Sequence, residues 1–111
     1  MKILINANGE TIIDEVNYPD KVGLLAGSKI QLDLGDQGSN TATAGTLTFE
    51  FASSGGSAYT VPGGDGGNTI NCSAPEPLFI DDALVGSIKC TATGVAGGVG
   101  GKIALVVLGF S

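Results

Sequence analysis

Apolar and polar residues alternate with a period of two wherever the pattern along this chain is clear. Over residues 45–51, Leu47, Phe49 and Phe51 fall on one face and Thr46, Thr48 and Glu50 on the other, which predicts a half-buried β-strand. Residues 87–93 repeat the pattern, with Ile88, Cys90 and Ala92 facing in and Lys89, Thr91 and Thr93 facing out. Residues 29–34 do so through Ile30, Leu32 and Leu34. These segments read as strands of an antiparallel sheet with one wet face. Weaker strands are predicted over 3–7, 11–16, 58–61, 69–72 and 77–80. Asn8-Gly9, between the first two, is a two-residue hairpin signal. Residues 35–40, 53–57 and 62–68 are turns or loops by composition. Only residues 18–26 have room for a helical turn, and Pro19 and Gly23 oppose it. Strand starts recur roughly every eight to twelve residues, the rhythm of a sandwich or barrel. The expected fold is all-β: a single antiparallel β-sandwich, jelly-roll or immunoglobulin-like, with glycine-rich loops.

Residues 102–110 break the alternation. Ile103, Leu105 and Val107 occupy one face, and Ala104, Val106 and Leu108 the other, so both are apolar. Such a strand is either central and covered by the domain's own loops, or buried by another copy, because an uncovered flat apolar strand templates aggregation. Ile103, Leu105, Val106, Val107, Leu108 and Phe110 are therefore candidates for a core strand or an oligomer interface.

Composition narrows the function. A chain of 111 residues suits one domain. Its 19 glycines exceed twice the average usage of ~7%, yet 42% of residues are hydrophobic and the mean hydropathy is +0.31. The disordered signature of low hydrophobicity with high net charge is missing. Without histidine, the commonest general base and most zinc sites are excluded. All cations are lysines, scattered at 2, 21, 29, 89 and 102, and the net charge is −6. That balance argues against nucleic acid and against an anionic membrane surface. The opening residues are too short and polar for a signal-peptide core, and the longest apolar run has strand length. Cys72 and Cys90 read as reduced core residues, with a single disulfide as the alternative.

Candidate chemistry is sparse. Residues 94–103 invite a phosphate-loop reading and fail it. Ala96 stands where glycine is required, Ile103 stands where Ser or Thr would hold magnesium, and a strand follows instead of a helix N-terminus. The segment reads as a glycine-rich hairpin connection. Asp33 with Asp36, Asp65 and Asp81-Asp82 lack the alternating oxygens of a calcium loop, and they read as solvated turn acids. Ser53, Ser54 and Ser57 have no base beside them. No catalytic residue, metal or cofactor is expected.

An ordered series of segments spans the C-terminal two thirds. It comprises Gly45-Thr46-Leu47-Thr48-Phe49-Glu50, a Gly/Ser loop with Tyr59, and Pro77-Leu78-Phe79-Ile80. After these come Ala83-Leu84-Val85-Gly86-Ser87-Ile88-Lys89, Thr91-Ala92-Thr93-Gly94-Val95 and Val106-Val107-Leu108-Gly109-Phe110. This series resembles a module of small virion structural proteins of tailed bacteriophages. The resemblance implies a non-catalytic role, first of all as a capsid decoration (cement) protein, a β-sandwich homotrimer bound to the major capsid protein or another virion protein. Its place would be the virion, assembled in the host cytoplasm. Residues 1–16 lie outside the resemblance and are a candidate capsid-contact arm through Ile3, Ile5, Ile12 and Ile13, attaching by strand addition. The alternatives are a tail, neck or fibre-associated virion protein, and a host-surface domain binding a glycan or receptor. The last requires an exposed aromatic near acids, for which Tyr18 and Tyr59 are the candidates.

Overall fold

The computed structural model describes residues 2–14, 16–19, 29–34, 38–53, 58–61, 67–80 and 85–110, with positions 29, 53, 85, 109 and 110 described by their backbone. Eight strands follow in order: β1 (Lys2–Asn6), β2 (Gly9–Ile13), β3 (Lys29–Asp33), β4 (Ala42–Ser53), β5 (Thr69–Asn71), β6 (Leu78–Ile80), β7 (Val85–Gly97) and β8 (Lys102–Phe110). A 3₁₀ turn at Gly38–Asn40 precedes β4. Sheet A has the order β1-β8-β3-β6, and sheet B the order β2-β7-β4-β5. Every neighbouring pair is antiparallel.

The expected all-β sandwich is thus present, and its strand order selects between the two architectures left open. An immunoglobulin sandwich keeps its first two strands in one sheet. Here the first two part at once, and only β4 and β5 are both consecutive and paired. Two interlocked Greek keys of this kind make a jelly roll.

Period-two alternation delivers the core. Ile3 and Ile5 of β1, Ile30 and Leu32 of β3, Leu78 and Ile80 of β6, and Ile103, Leu105 and Val107 of β8 point inward from sheet A. Ile13, Leu47, Phe49, Phe51, Ile70, Ile88, Cys90 and Ala92 meet them from sheet B, in one continuous cluster. Each fully buried large side chain contributes roughly 1.5–3 kcal/mol.

Non-local pairing changes several expectations. Asn8-Gly9 does not close a hairpin, because β1 pairs with β8 and β2 with β7. The turn is a corner between the sheets, held by Asn6 N–H donating to Thr11 Oγ1 at 2.9 Å and Asn6 Nδ2 donating to the Glu10 carbonyl at 3.0 Å. Residues 58–61 form no strand, only a bridge between Thr60 and Phe51. The 94–101 connection also crosses between sheets. β7 runs on to Gly97, and Val99 and Lys102 exchange backbone hydrogen bonds of 3.1 and 3.2 Å around Gly100 and Gly101. Both central glycines have positive φ, as a type I′ turn requires.

The long strands β4 and β7 pair from Ala42↔Gly97 to Ser53↔Val85, with a register shift between Ala44 and Thr46. Gly45 sits at that bulge with φ of +100°. A Cβ there would lie 2.6 Å from Val95 Cα and 2.7 Å from the Gly94 carbonyl. The Gly45 carbonyl, turned aside, accepts the Cys72 N–H at 2.9 Å, so one irregularity ties β4, the end of β5 and β7 together.

Candidate functional site

The two outer faces of the sandwich differ in chemistry. On sheet B, register places Glu10, Thr91, Thr48 and Thr69 in one row and Ile12, Lys89 and Glu50 in the next, with Thr46 beside Thr93 and Asn71. This face is dominated by threonine and charge. On sheet A the outward positions include Lys2 and Leu4 on β1, Ala104, Val106 and Leu108 on β8, Gln31 and Asp33 on β3, and Phe79 on β6. Leu4 is 47% exposed, Leu108 40% and Phe79 61%. Gln31 stands between Leu108 and Phe79, and the row Lys2–Val106–Asp33 lies between Leu108 and Leu4.

The candidate residues of β8 divide accordingly. Ile103, Leu105 and Val107 are core, Val106 is half-buried on the outer face, and Leu108 is exposed there. Phe110 pairs through its backbone with Lys29. The strand is central in sheet A, between β1 and β3. Ala104 is buried and Leu108 is not, so the outer face is covered over part of its length.

Of residues 1–16, expected as an arm, Lys2–Asn6 and Gly9–Ile13 are instead edge strands of the two sheets. Ile3, Ile5 and Ile13 are buried core residues, and Ile12 lies half-buried on sheet B beside Lys89. Pulling them out as an arm would dismantle an edge of each sheet. Strand addition along β1 is opposed as well. The Leu4 carbonyl accepts the Tyr18 hydroxyl at 2.9 Å, and the Asn6 N–H is taken by Thr11, so this edge presents fewer unpaired groups to an incoming strand.

Tyr18 is held over that edge by a turn in which Asp14 Oδ1 accepts Asn17 N–H at 2.8 Å and Asn17 Nδ2 at 3.0 Å. Around it lies an open groove of about 450 Å³ lined by Asn6, Glu10, Asn17 and Lys102 among others. Burial raises the Tyr18 pKa, with the nearby Cys90 adding to it. The polar ends here largely serve the fold: Lys102 Nζ donates to Asn6 Oδ1 at 2.6 Å, and the Tyr18 hydroxyl is engaged with Leu4. Tyr59, the other aromatic candidate, has Lys89 Nζ 4.7 Å from its ring centroid and its hydroxyl 2.7 Å from Ser87 Oγ. Neither tyrosine presents the free face and free hydroxyl that a sugar platform uses.

Cys72 and Cys90 are free and buried. Burial pushes the Cys90 thiol up to about 12, with Cys72 adding to the shift, and burial raises Cys72 as well. An unfolded thiol ionises near 8.5. The stabilisation tied to the neutral Cys90 thiol is thus complete below about pH 8.5 and is lost as pH climbs toward about 12. Urea unfolding across pH 8–12 should show falling stability, and Cys90→Ala should remove about one proton, or ~1.4 kcal/mol per pH unit, from that slope. At pH 8 the native thiols should resist iodoacetamide and react on unfolding.

Asp33 lies on the outer face of sheet A, while Asp36, Asp65, Asp81, Asp82, Ser54 and Ser57 fall outside the described residues. Among the described residues no three His, Cys, Asp or Glu side chains converge as a metal-binding group, and no helix is long and apolar enough to cross a membrane. Leu4 and Phe79 were not singled out by the sequence reading. Their signal was available, since Ile3-Leu4-Ile5 and Leu78-Phe79-Ile80 are apolar on both faces, as β8 is. Comparison of the chain with protein-family models, with curated protein sequences and with solved structures finds no match.

Proposed function

We propose that this chain is a structural protein of a tailed-bacteriophage virion, in first place a capsid decoration protein that binds and stabilises the lattice of major capsid subunits. The observation that carries this reading is the outer face of sheet A, where Leu4, Leu108 and Phe79 are exposed on a sandwich of net charge −6. A subunit of this kind acts through area, and attachment in many symmetric copies turns a modest contact into high avidity. Double-sheet jelly rolls recur in capsid domains, which adds a fold-level analogy. The net charge of −6 limits stray binding to packaged DNA. Contact through a sheet face replaces contact through an arm, because residues 2–13 belong to the fold.

The test is binding of the purified chain to expanded capsids assembled from the major capsid protein of the same genome. Saturation at hundreds of copies per shell is expected, and Leu4→Asp or Phe79→Asp should reduce occupancy while leaving the circular-dichroism spectrum unchanged. Copy number separates the rival on the same particle, since a dozen or fewer copies per virion would place the chain in the tail or neck. No binding to capsid or virion would remove the reading.

A further inference from the structure

The middle of sheet A's outer face is self-complementary, and we infer that a second copy of this chain covers it about a two-fold axis running along β8. The argument rests on register. Lys2 on β1 and Asp33 on β3 both pair with Val106 of β8, so the three stand in one row across the sheet. Opposite charges therefore flank an apolar centre at equal offsets, one strand to either side. They lie two strands apart, about 10 Å between backbones, on either side of Val106.

Placing a second copy face to face leaves few choices. An axis in the face and parallel to β8 keeps position along the strand and exchanges left for right. Leu108 and the exposed part of Val106 then meet their own counterparts along the axis, Ala104 being already buried within one copy. Lys2 meets Asp33 of the second copy, and Asp33 meets its Lys2, giving two symmetric ion pairs around an apolar seam. An axis across the strands instead sets Lys2 on Lys2 and Asp33 on Asp33, which like charge disfavours. Packed sheets lie within about 30° of parallel, an offset the long Lys2 side chain can span. A two-fold contact is isologous, one patch serving both sides, whereas a three-fold ring needs two different patches. Charge complementarity and an exposed Leu108 on the axis thus favour a pair over a trimer.

Sedimentation equilibrium of the full chain, from low micromolar to near-millimolar concentration, tests this. A reversible monomer–dimer equilibrium is expected. Leu108→Asp should weaken it more than tenfold. Lys2→Glu and Asp33→Lys should each weaken it about tenfold, and combining them should restore it to within about threefold of the original, because the pairs are re-formed with signs exchanged. The two charge reversals sit on the outer face and keep the test intact if Leu108→Asp does not fold. A chain that stays monomeric, a trimer, or a dimer indifferent to the reversals overturns the inference. The pair covers Leu108 and leaves Phe79, on β6 one strand beyond the second copy's β1, open for the capsid contact, so the two readings are tested apart. Dimers that do not bind capsids leave it standing, and monomers that bind capsids remove it alone.

Discussion

Phe49→Ala should destabilise the fold by about 4 kcal/mol and lower the melting temperature by roughly 15–25 °C. Phe49 lies near the middle of the long strand β4 and is fully buried. Its backbone N–H donates to the Asn68 carbonyl at 2.8 Å, and its carbonyl accepts Asn68 Nδ2 at 2.9 Å, so the strand cannot easily shift to close the cavity. The ring sits where inward residues of both sheets converge, and truncation removes both the transferred area and the contacts of its neighbours. Phe79→Ala is the control. The same side chain, 61% exposed on the outside of sheet A, should change monomer stability by no more than about 0.5 kcal/mol. Thermal and urea unfolding at low protein concentration read both. Equal effects would contradict the assignment of the two faces.

The second large effect is expected at a residue with no side chain. Gly45→Ala should cost about 3 kcal/mol, from two sources that can be separated. A positive φ strains any L-residue by roughly 1–2 kcal/mol. The new methyl would also press on backbone at 2.6–2.7 Å from Val95 and Gly94, which no rotamer change relieves, so β4 and β7 would have to part at the bulge. Gly67→Ala isolates the first source, since φ there is +67° and nothing lies within 4 Å of the added carbon. Gly67→Ala should cost about 1 kcal/mol. A Gly45→Ala variant no worse than this would show that the bulge yields.

The legibility of this fold follows the range of each interaction. Strand positions that depend on local alternation were readable. The inward sets Leu47, Phe49, Phe51 and Ile88, Cys90, Ala92 are the buried ones. Pairing was not readable, because β1 lies against β8 and β3 lies between β8 and β6, partners chosen across most of the chain. The Asn8-Gly9 signal misled for the same reason: its local chemistry makes a tight turn and is silent on whether the flanking strands pair. β4 and β7 outgrew their expected lengths because Gly45 opens a bulge instead of ending the strand. The contact face was half legible. The two-sided apolar character of Ile3-Leu4-Ile5 and Leu78-Phe79-Ile80 gained meaning once topology placed β1 and β6 in the same sheet as β8, with Leu4, Leu108 and Phe79 on one side of it.

The position of β8 carries a kinetic consequence. Sheet A is built around its latest-synthesised strand, with β1 on one side and β3 on the other. Until residues 102–110 leave the ribosome, β1 and β3 have no common neighbour, and Ile3, Ile5, Ile30 and Leu32 have no finished sheet from which to bury. Loop closure over nearly the whole chain must precede that pairing, which makes folding slow for a domain of this size. A chain lacking β8 is therefore the aggregation-prone species.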